Sequence, residues 1–372
     1  MIVYNLVSTK HCYPKRLWVS YNYFMTTFQK EEFTLKSNHD GLVLGVSLRI
    51  PDSIKNPAGV NGPHPQDANN TSNSQASAKP KGIVQLVHGM AEHRERYHDF
   101  MDYLAERGYV VIIHDHRGHG ASVASEDDYG YFGKDSVNGI ISDVHQITKY
   151  VKQRFPGLSL TLFGHSMGSL VVRCYMKKYD ADVSRLIVCG SPSNNPGAGP
   201  AIAISKFLRV FRGDRHRSNL INNLAFSNYN KRSAKLAKSN NNLDATYDNS
   251  PNAWIVSDPA VVAAYDADER DGFVFTLNGF ITLFSLMKRA YNPKDWQMRN
   301  PSAPILFIAG ADDPCIISHK KFNEAVAFMR ARGYQDVVSK LYPKMRHEIL
   351  NERGKLEVWS DILGWIEAHS AQ

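Results

Sequence analysis

Cysteine is scarce in this chain: four in 372 residues, at positions 12, 174, 189 and 315, with no C-x-x-C pair among them. That scatter excludes a disulfide-stapled scaffold and a cysteine-ligated zinc module, and it reads as free thiols in a reducing compartment. Long apolar runs are missing as well. The longest, such as residues 109–113 and 305–309, fall far short of the ~20 residues that span a bilayer. The opening MIVYNLV breaks at once into STKHCYPKR, without the apolar stretch and small-residue cleavage site of a secretory signal. No internal repeat is visible. These absences lead to the expectation of a cytoplasmic protein.

Acidic residues are in deficit, but only in one place. The chain carries a formal charge of +8. Between residues 206 and 238 nine Lys or Arg stand against a single acid, Asp214, so this stretch holds the whole excess. A generally basic nucleic-acid binder is therefore excluded, whereas a local contact with an anionic or membrane surface stays open. The remaining composition, 43% hydrophobic and 22% charged, is that of a soluble globular protein with a sizeable core.

The first 30 residues show no clear periodicity, and Met25 reads as a natural start preceded by upstream sequence. EEFTLKS and GLVLGVSLRI alternate as a hairpin across Asn38–Gly41, and residues 51–81, rich in Pro, Asn, Ser and Gly, read as a disordered polar insert. From Gly82 six short apolar runs (IVQLVH, YVVIIH, LSLTLFG, RLIVCG, PILFIAG, VVSKLY) alternate with helical patterns. That alternation predicts an α/β fold, with a mainly parallel sheet covered by helices on both faces. It is interrupted between residues 193 and 301, which read as an inserted cap above the carboxyl ends of the strands. The core is then residues 31–192 and 302–372. The aromatic stretch 273–286 within the cap has helical spacing and reads as packing, with an apolar acyl pocket as the sharper alternative.

The chemistry concentrates in LFGHSMGS, residues 162–169. An apolar strand ends, a helix begins, and Ser166 sits between Gly164 and Gly168 in the G-x-S-x-G spacing of a nucleophile elbow. A serine nucleophile needs a base, an orienting acid and an oxyanion hole. His347 lies just past the last strand in VVSKLYPKMRHEIL, where a base belongs. PILFIAGADDPC offers Asp312 and Asp313 after the preceding strand, and the G-x-x-D-P spacing favours Asp313, leaving Asp312 as a turn residue. The oxyanion donors are expected to be the backbone N–H groups of Met167, directly after the nucleophile, and Met90, after the first parallel strand in IVQLVHGMAEH. HDHRGHGAS, residues 114–122, carries the His and Asp of a metal site. Alternate residues at a strand end face opposite ways, so a structural turn is the preferred reading. Neither a metal nor an organic cofactor is expected.

Taken together, IVQLVHGMAEHRERYHDF, DHRGHGAS, FGHSMGS, GADDP and YPKMRHEILNE resemble the monoglyceride lipase and lysophospholipase branch of the α/β-hydrolases, the serine-aminopeptidase-like hydrolases. LINNLAFSNYNKR and GFVFTLNGF in the cap resemble its bacterial members. The resemblance implies an α/β-hydrolase fold with Ser166 as nucleophile, Asp313 as acid, His347 as base and Met90 with Met167 as oxyanion donors. It also implies a small-molecule ester or lipid substrate with an apolar acyl group. Other acyl chemistry (aryl ester, thioester, peptide, or transfer to an alcohol) and a non-catalytic acyl-binding module are the alternatives.

Overall fold

The computed structural model describes residues 26–52, 79–247 and 249–370. Met25 with the residues before it, most of the polar insert (53–78) and Cys12 lie outside that set, so those expectations are not addressed.

Strands β1 (Phe28–Lys36) and β2 (Val43–Pro51) pair antiparallel in the expected hairpin, with Phe28 opposite Pro51 and Lys36 opposite Val43. The six apolar runs form β3 (Gly82–Val87), β4 (Tyr109–His114), β5 (Leu160–His165), β6 (Arg185–Cys189), β7 (Ile305–Gly310) and β8 (Val337–Tyr342). The sheet order is β1-β2-β4-β3-β5-β6-β7-β8, parallel from β4 through β8 and antiparallel at β2/β4. The chain leaves β3 towards β4 and then crosses back to β5 on its other side. Such a reversal opens a crevice at the carboxyl ends of β3 and β5, where ligands bind in open α/β sheets.

Both faces of the sheet are apolar, as period-two geometry requires of a doubly covered sheet. Val110, Ile112, Leu160 and Leu162 face one core with helices α2 (Ser136–Arg154) and α3 (Met167–Tyr179). Val111, Ile113, Phe163 and Ile187 face the other with α1 (His98–Ala105) and α10 (Lys355–Ala368). Helix α9 (His319–Arg330) joins β7 to β8.

Between β6 and β7 stand α4 (Ala198–Arg212), α5 (Asn219–Phe226), α6 (Tyr229–Ser239), α7 (Pro259–Ala267) and α8 (Leu277–Ala290). The aromatic stretch proves to be packing. Phe275, Leu277, Phe280 and Leu286 are fully buried in the same core as α2 and α3. Thr276 caps α8 by accepting from Gly279 N–H, and Asn278 ties the helix to Phe132 N–H and the Gly133 carbonyl. Helix α4 differs, because apolar residues line two of its sides. Ala198 and Ser205 are buried, whereas Ile204, Phe207, Val210 and Phe211 point outward, with Val210 79% exposed.

The two kinds of phenylalanine should behave oppositely. Phe280→Ala should cost about 3–5 kcal/mol in urea unfolding because it opens a core cavity. Phe207→Ser should stay within about 0.5 kcal/mol of the parent, since its ring already faces solvent.

Candidate active site

The elbow forms because nothing larger than hydrogen fits beside it. A Cβ on Gly168 would lie 2.1 Å from the Val87 carbonyl oxygen and 2.4 Å from that of His88. One on Gly164 would meet the Gly168 carbonyl oxygen at 2.5 Å and Val172 Cγ2 at 2.6 Å. Ser166 itself takes φ 51°, ψ −120°, a strained setting for a side-chain-bearing residue. It is held by its N–H donating to the Cys189 carbonyl (2.9 Å) and by its carbonyl accepting from Ser169 N–H (3.0 Å) and the Ser169 hydroxyl (2.5 Å).

Loops from two later strands reach this serine. His347 Nε2 stands 2.8 Å from Ser166 Oγ, and His347 Nδ1 stands 2.9 Å from Asp313 Oδ2. A carboxylate only accepts, so Nδ1 carries the proton it donates to Asp313, and Nε2 is left to accept from the Ser166 hydroxyl. Asp313 is fully buried, and its Oδ1 accepts from Cys315 N–H at 2.8 Å. Asp312 points elsewhere, to the amides of Asn240 and Asn242 at 2.7 Å each. Asp312 lies in a turn, as expected, and its side chain is buried and anchors the end of α6.

Met167 opens α3, so its N–H is one of those with no acceptor inside the helix. Met90 follows Gly89, where an added Cβ would lie 3.0 Å from Ser166 Cβ. The loop carrying Met90 is fixed by buried polar contacts. Glu92 accepts from Gly89 N–H (2.5 Å) and the Tyr97 hydroxyl (2.9 Å), and His119 Nε2 accepts from Ala91 N–H (3.2 Å). His88 Nε2 accepts from His116 N–H at 2.8 Å. Burial holds the rings of His88, His116 and His119 below the ordinary histidine range, hence neutral. They work as loop supports bonded to backbone, as the structural reading of HDHRGHGAS requires.

Sequence reasoning missed His165, the residue before Ser166. Its Nδ1 donates to Glu92 Oε1 (3.1 Å) and its Nε2 to the His347 carbonyl (3.3 Å). Two acceptors make it an imidazolium. Burial alone would discharge the ring, but the hydrogen bond and charge of Glu92, with Glu348 behind it, raise its pKa. Burial likewise penalises the Glu92 carboxylate, and the bond to His165 with the nearby Arg96 outweighs that penalty and lowers its pKa. This buried pair links the Met90 loop to the His347 loop. Arg96 extends the link with a two-pronged bond to Glu348, 2.7 Å on each arm.

The segment between α6 and α7 covers the site. The Trp254 ring lies 5.1 Å from that of His347 and 4.9 Å from that of Tyr229. Arg346 donates to the carbonyls of Ala253 (2.5 Å), Val256 (3.0 Å) and Thr246, and Glu348 N–H donates to the Ile255 carbonyl at 2.7 Å. The cysteines at 174, 189 and 315 are free and buried. Asp313, Cys315 and His347 lie close enough to share a metal ion, but two of them are already committed to the hydrogen-bonded chain that ends at Ser166.

A serine on a strand-to-helix elbow, hydrogen-bonded in turn to a histidine and an aspartate from later loops of a mostly parallel sheet, defines an α/β-hydrolase. The chain belongs to the family described as serine aminopeptidase, S33, whose profile matches residues 78–354. It is 27% identical over 296 residues to a monoacylglycerol lipase of Mycolicibacterium smegmatis, covering 78% of this chain and 89% of that one. Among solved structures, a thermostable carboxyl esterase from Bacillus coagulans, in complex with glycerol, superposes with a TM-score of 0.76 at 25% identity, covering 93% of this chain and 100% of that one. A soluble variant of monoglyceride lipase from Saccharomyces cerevisiae shares the fold, with a TM-score of 0.61 at 20% identity, covering 97% of this chain and 100% of that one.

The buried pair has a two-sided pH signature. A lowered carboxylate pKa adds stability that is whole above the ordinary value and lost as pH falls below it. A raised histidine pKa adds stability that is whole below the ordinary value and lost as pH rises above it. The contribution is therefore greatest between about pH 4.5 and 6.5. Glu92→Gln should lower the unfolding free energy by about 3–5 kcal/mol at pH 5.5. The gap to the parent, followed by urea unfolding against pH, should narrow on either side.

Proposed function

We propose that this protein is a serine hydrolase of carboxylic esters, acting on monoacylglycerol-type or lysophospholipid-type substrates through an acyl-enzyme on Ser166. The observation that carries the reading is the Ser166–His347–Asp313 chain of hydrogen bonds, 2.8 and 2.9 Å long, at the switch point of the sheet. The M. smegmatis relative, matched over most of its length, supports the substrate class.

His347 Nε2 takes the Ser166 proton as Oγ attacks the ester carbonyl. The N–H groups of Met90 and Met167 receive the oxyanion, each donor contributing about 3 kcal/mol of barrier lowering. His347 then protonates the departing alcohol and activates the water that releases the acid. Asp313 keeps the imidazole in the required tautomer throughout. In this reading the core comprises residues 31–192 and 302–372, and residues 193–301 form a cap that supplies Trp254 and Tyr229 above His347.

A second feature points to where the enzyme works. No helix among the described residues is long and apolar enough to cross a membrane. The outward side of α4 nevertheless carries Ile204, Phe207, Val210 and Phe211, flanked by Lys206, Arg209 and Arg212, and Leu220 and Leu224 of α5 are exposed as well. An apolar stripe edged with cations fits an anionic lipid surface, whereas the same cations would repel a second copy of the chain. In this reading the enzyme meets its lipid substrates peripherally.

Hydrolysis of p-nitrophenyl esters from acetate to palmitate tests the chemistry. Ser166→Ala should abolish turnover, and Asp313→Asn should reduce kcat about 10³–10⁴-fold. Asp312→Asn should keep kcat within about tenfold, because that carboxylate holds the cap and does not touch His347. Absence of turnover on every ester would redirect the reading to thioesters, peptides or acyl acceptors. Co-sedimentation with phosphatidylglycerol vesicles should fall at least about tenfold in Phe207→Ser/Phe211→Ser, and undiminished binding would remove α4 as the contact.

A further inference from the structure

Away from Ser166, on the outer side of the Met90 loop, three ligand-type side chains converge without being used by the chemistry above. His93 Nε2 lies 3.2 Å from Asp268 Oδ2 and 3.7 Å from Asp271 Oδ1, and the three atoms fit within 4.8 Å of one another. His93 is 3% exposed, and so is the Asp271 side chain. Asp271 Oδ1 and His93 Nδ1 are buried with no hydrogen-bond partner. A buried oxygen of that kind, aimed at an imidazole nitrogen, is costly unless something sits between them.

The spacing indicates what that something is. Ligand atoms bonded at ~2.0–2.1 Å in a tetrahedron stand about 3.3 Å from one another, and one histidine with two carboxylates is a donor set that zinc accepts. Around the three, Glu95 Oε2 stands 4.0 Å from His93 Nδ1, beyond hydrogen-bond reach, and accepts from Arg270 Nη1 at 2.9 Å. Arg270 grips Asp268 through Nε to Oδ1 (3.0 Å) and Nη2 to Oδ2 (2.9 Å), while Arg96 Nε holds Asp271 Oδ2 at 3.3 Å and leaves Oδ1 facing His93. The Asp268 side chain is 27% exposed and gives an ion a way in from solvent.

We propose that His93, Asp268 and Asp271 bind a divalent cation of the zinc type, with the remaining coordination position open to water. The ion fastens the Met90 loop to the segment between α7 and α8. That connection already exists in weaker form, because the Ala91 carbonyl accepts from Gly272 N–H and the Tyr265 hydroxyl, each at 2.9 Å. The ion's influence on ester hydrolysis rests on Met90 being an oxyanion donor; its binding does not. No spacing in the sequence announces the site, since His93 and the two aspartates are more than 170 residues apart.

The test is titration of metal-free, full-length protein with ZnCl2 by calorimetry, comparing the parent with His93→Ala, Asp271→Asn and Cys315→Ser. The expected result is one zinc per chain in the parent and in Cys315→Ser, with affinity at least about tenfold weaker in the other two. Asp271→Asn preserves shape and carries the comparison if His93→Ala does not fold. No uptake by the parent at about 100 µM zinc would overturn the proposal. So would uptake unchanged in both variants, or uptake lost only in Cys315→Ser and accompanied by inhibition, which would place the ion on His347. Zinc binding as expected in a protein inactive on every ester would refute the esterase reading and leave the cation site standing.

Discussion

The backbone at Ser166 is held in a conformation that costs of order 1–3 kcal/mol, and much of the molecule serves to enforce it. The helix begins so close to β3 that glycine alone fits at position 168, and the strand passes so close to the helix that glycine alone fits at 164. What the strain yields is position. The side chain stands clear of the sheet at the carboxyl ends of β3 and β5, and the helix start behind it presents N–H groups with no acceptor inside the helix. The parallel sheet, the paired cores and the crossover order are the means by which one unfavourable dihedral pair is sustained.

Around that elbow the molecule spends buried charge on alignment. Glu92, His165 and Glu348 are buried and the Arg96 side chain is only 11% exposed, and each is matched by an opposite charge or by several hydrogen bonds. Such groups contribute little to net stability when compared with apolar replacements, yet they specify one arrangement because any other leaves a charge unpaired. Here the arrangement joins three segments distant in sequence: the loop after β3, the residue before Ser166, and the loop bearing His347.

Much of this was legible in the sequence, and for identifiable reasons. Every strand expected from an apolar run is present, because a doubly covered parallel sheet writes itself as short apolar runs. Ser166, Asp313 and His347 could be named because each chemical role has a fixed place relative to a strand end, and the structure brings the three side chains within hydrogen-bond reach of one another. What stayed hidden depends on distant partners. Asp312 is the turn residue it looked like, but nothing nearby shows that Asn240 and Asn242 will fold onto it. His165 looked like the variable position of a motif, because its meaning comes from Glu92, 73 residues earlier. The aromatic stretch read correctly as packing, but its periodicity could not say that α8 would join α2 and α3 over the sheet.

The flanks of His347 have a mechanical consequence. Arg346 and Glu348 together hold four backbone groups of residues 246–256, and the Trp254 ring rests against the imidazole between them. Any outward swing of that covering segment must either break those bonds, at about 1 kcal/mol each, or carry the histidine away from Ser166. If His347 is the base, as proposed, uncovering the site and arming that base are two readings of one equilibrium. A chain with that cover lifted would then also have the His347–Ser166 hydrogen bond out of register, so that an uncovered Ser166 and an armed one would not coincide.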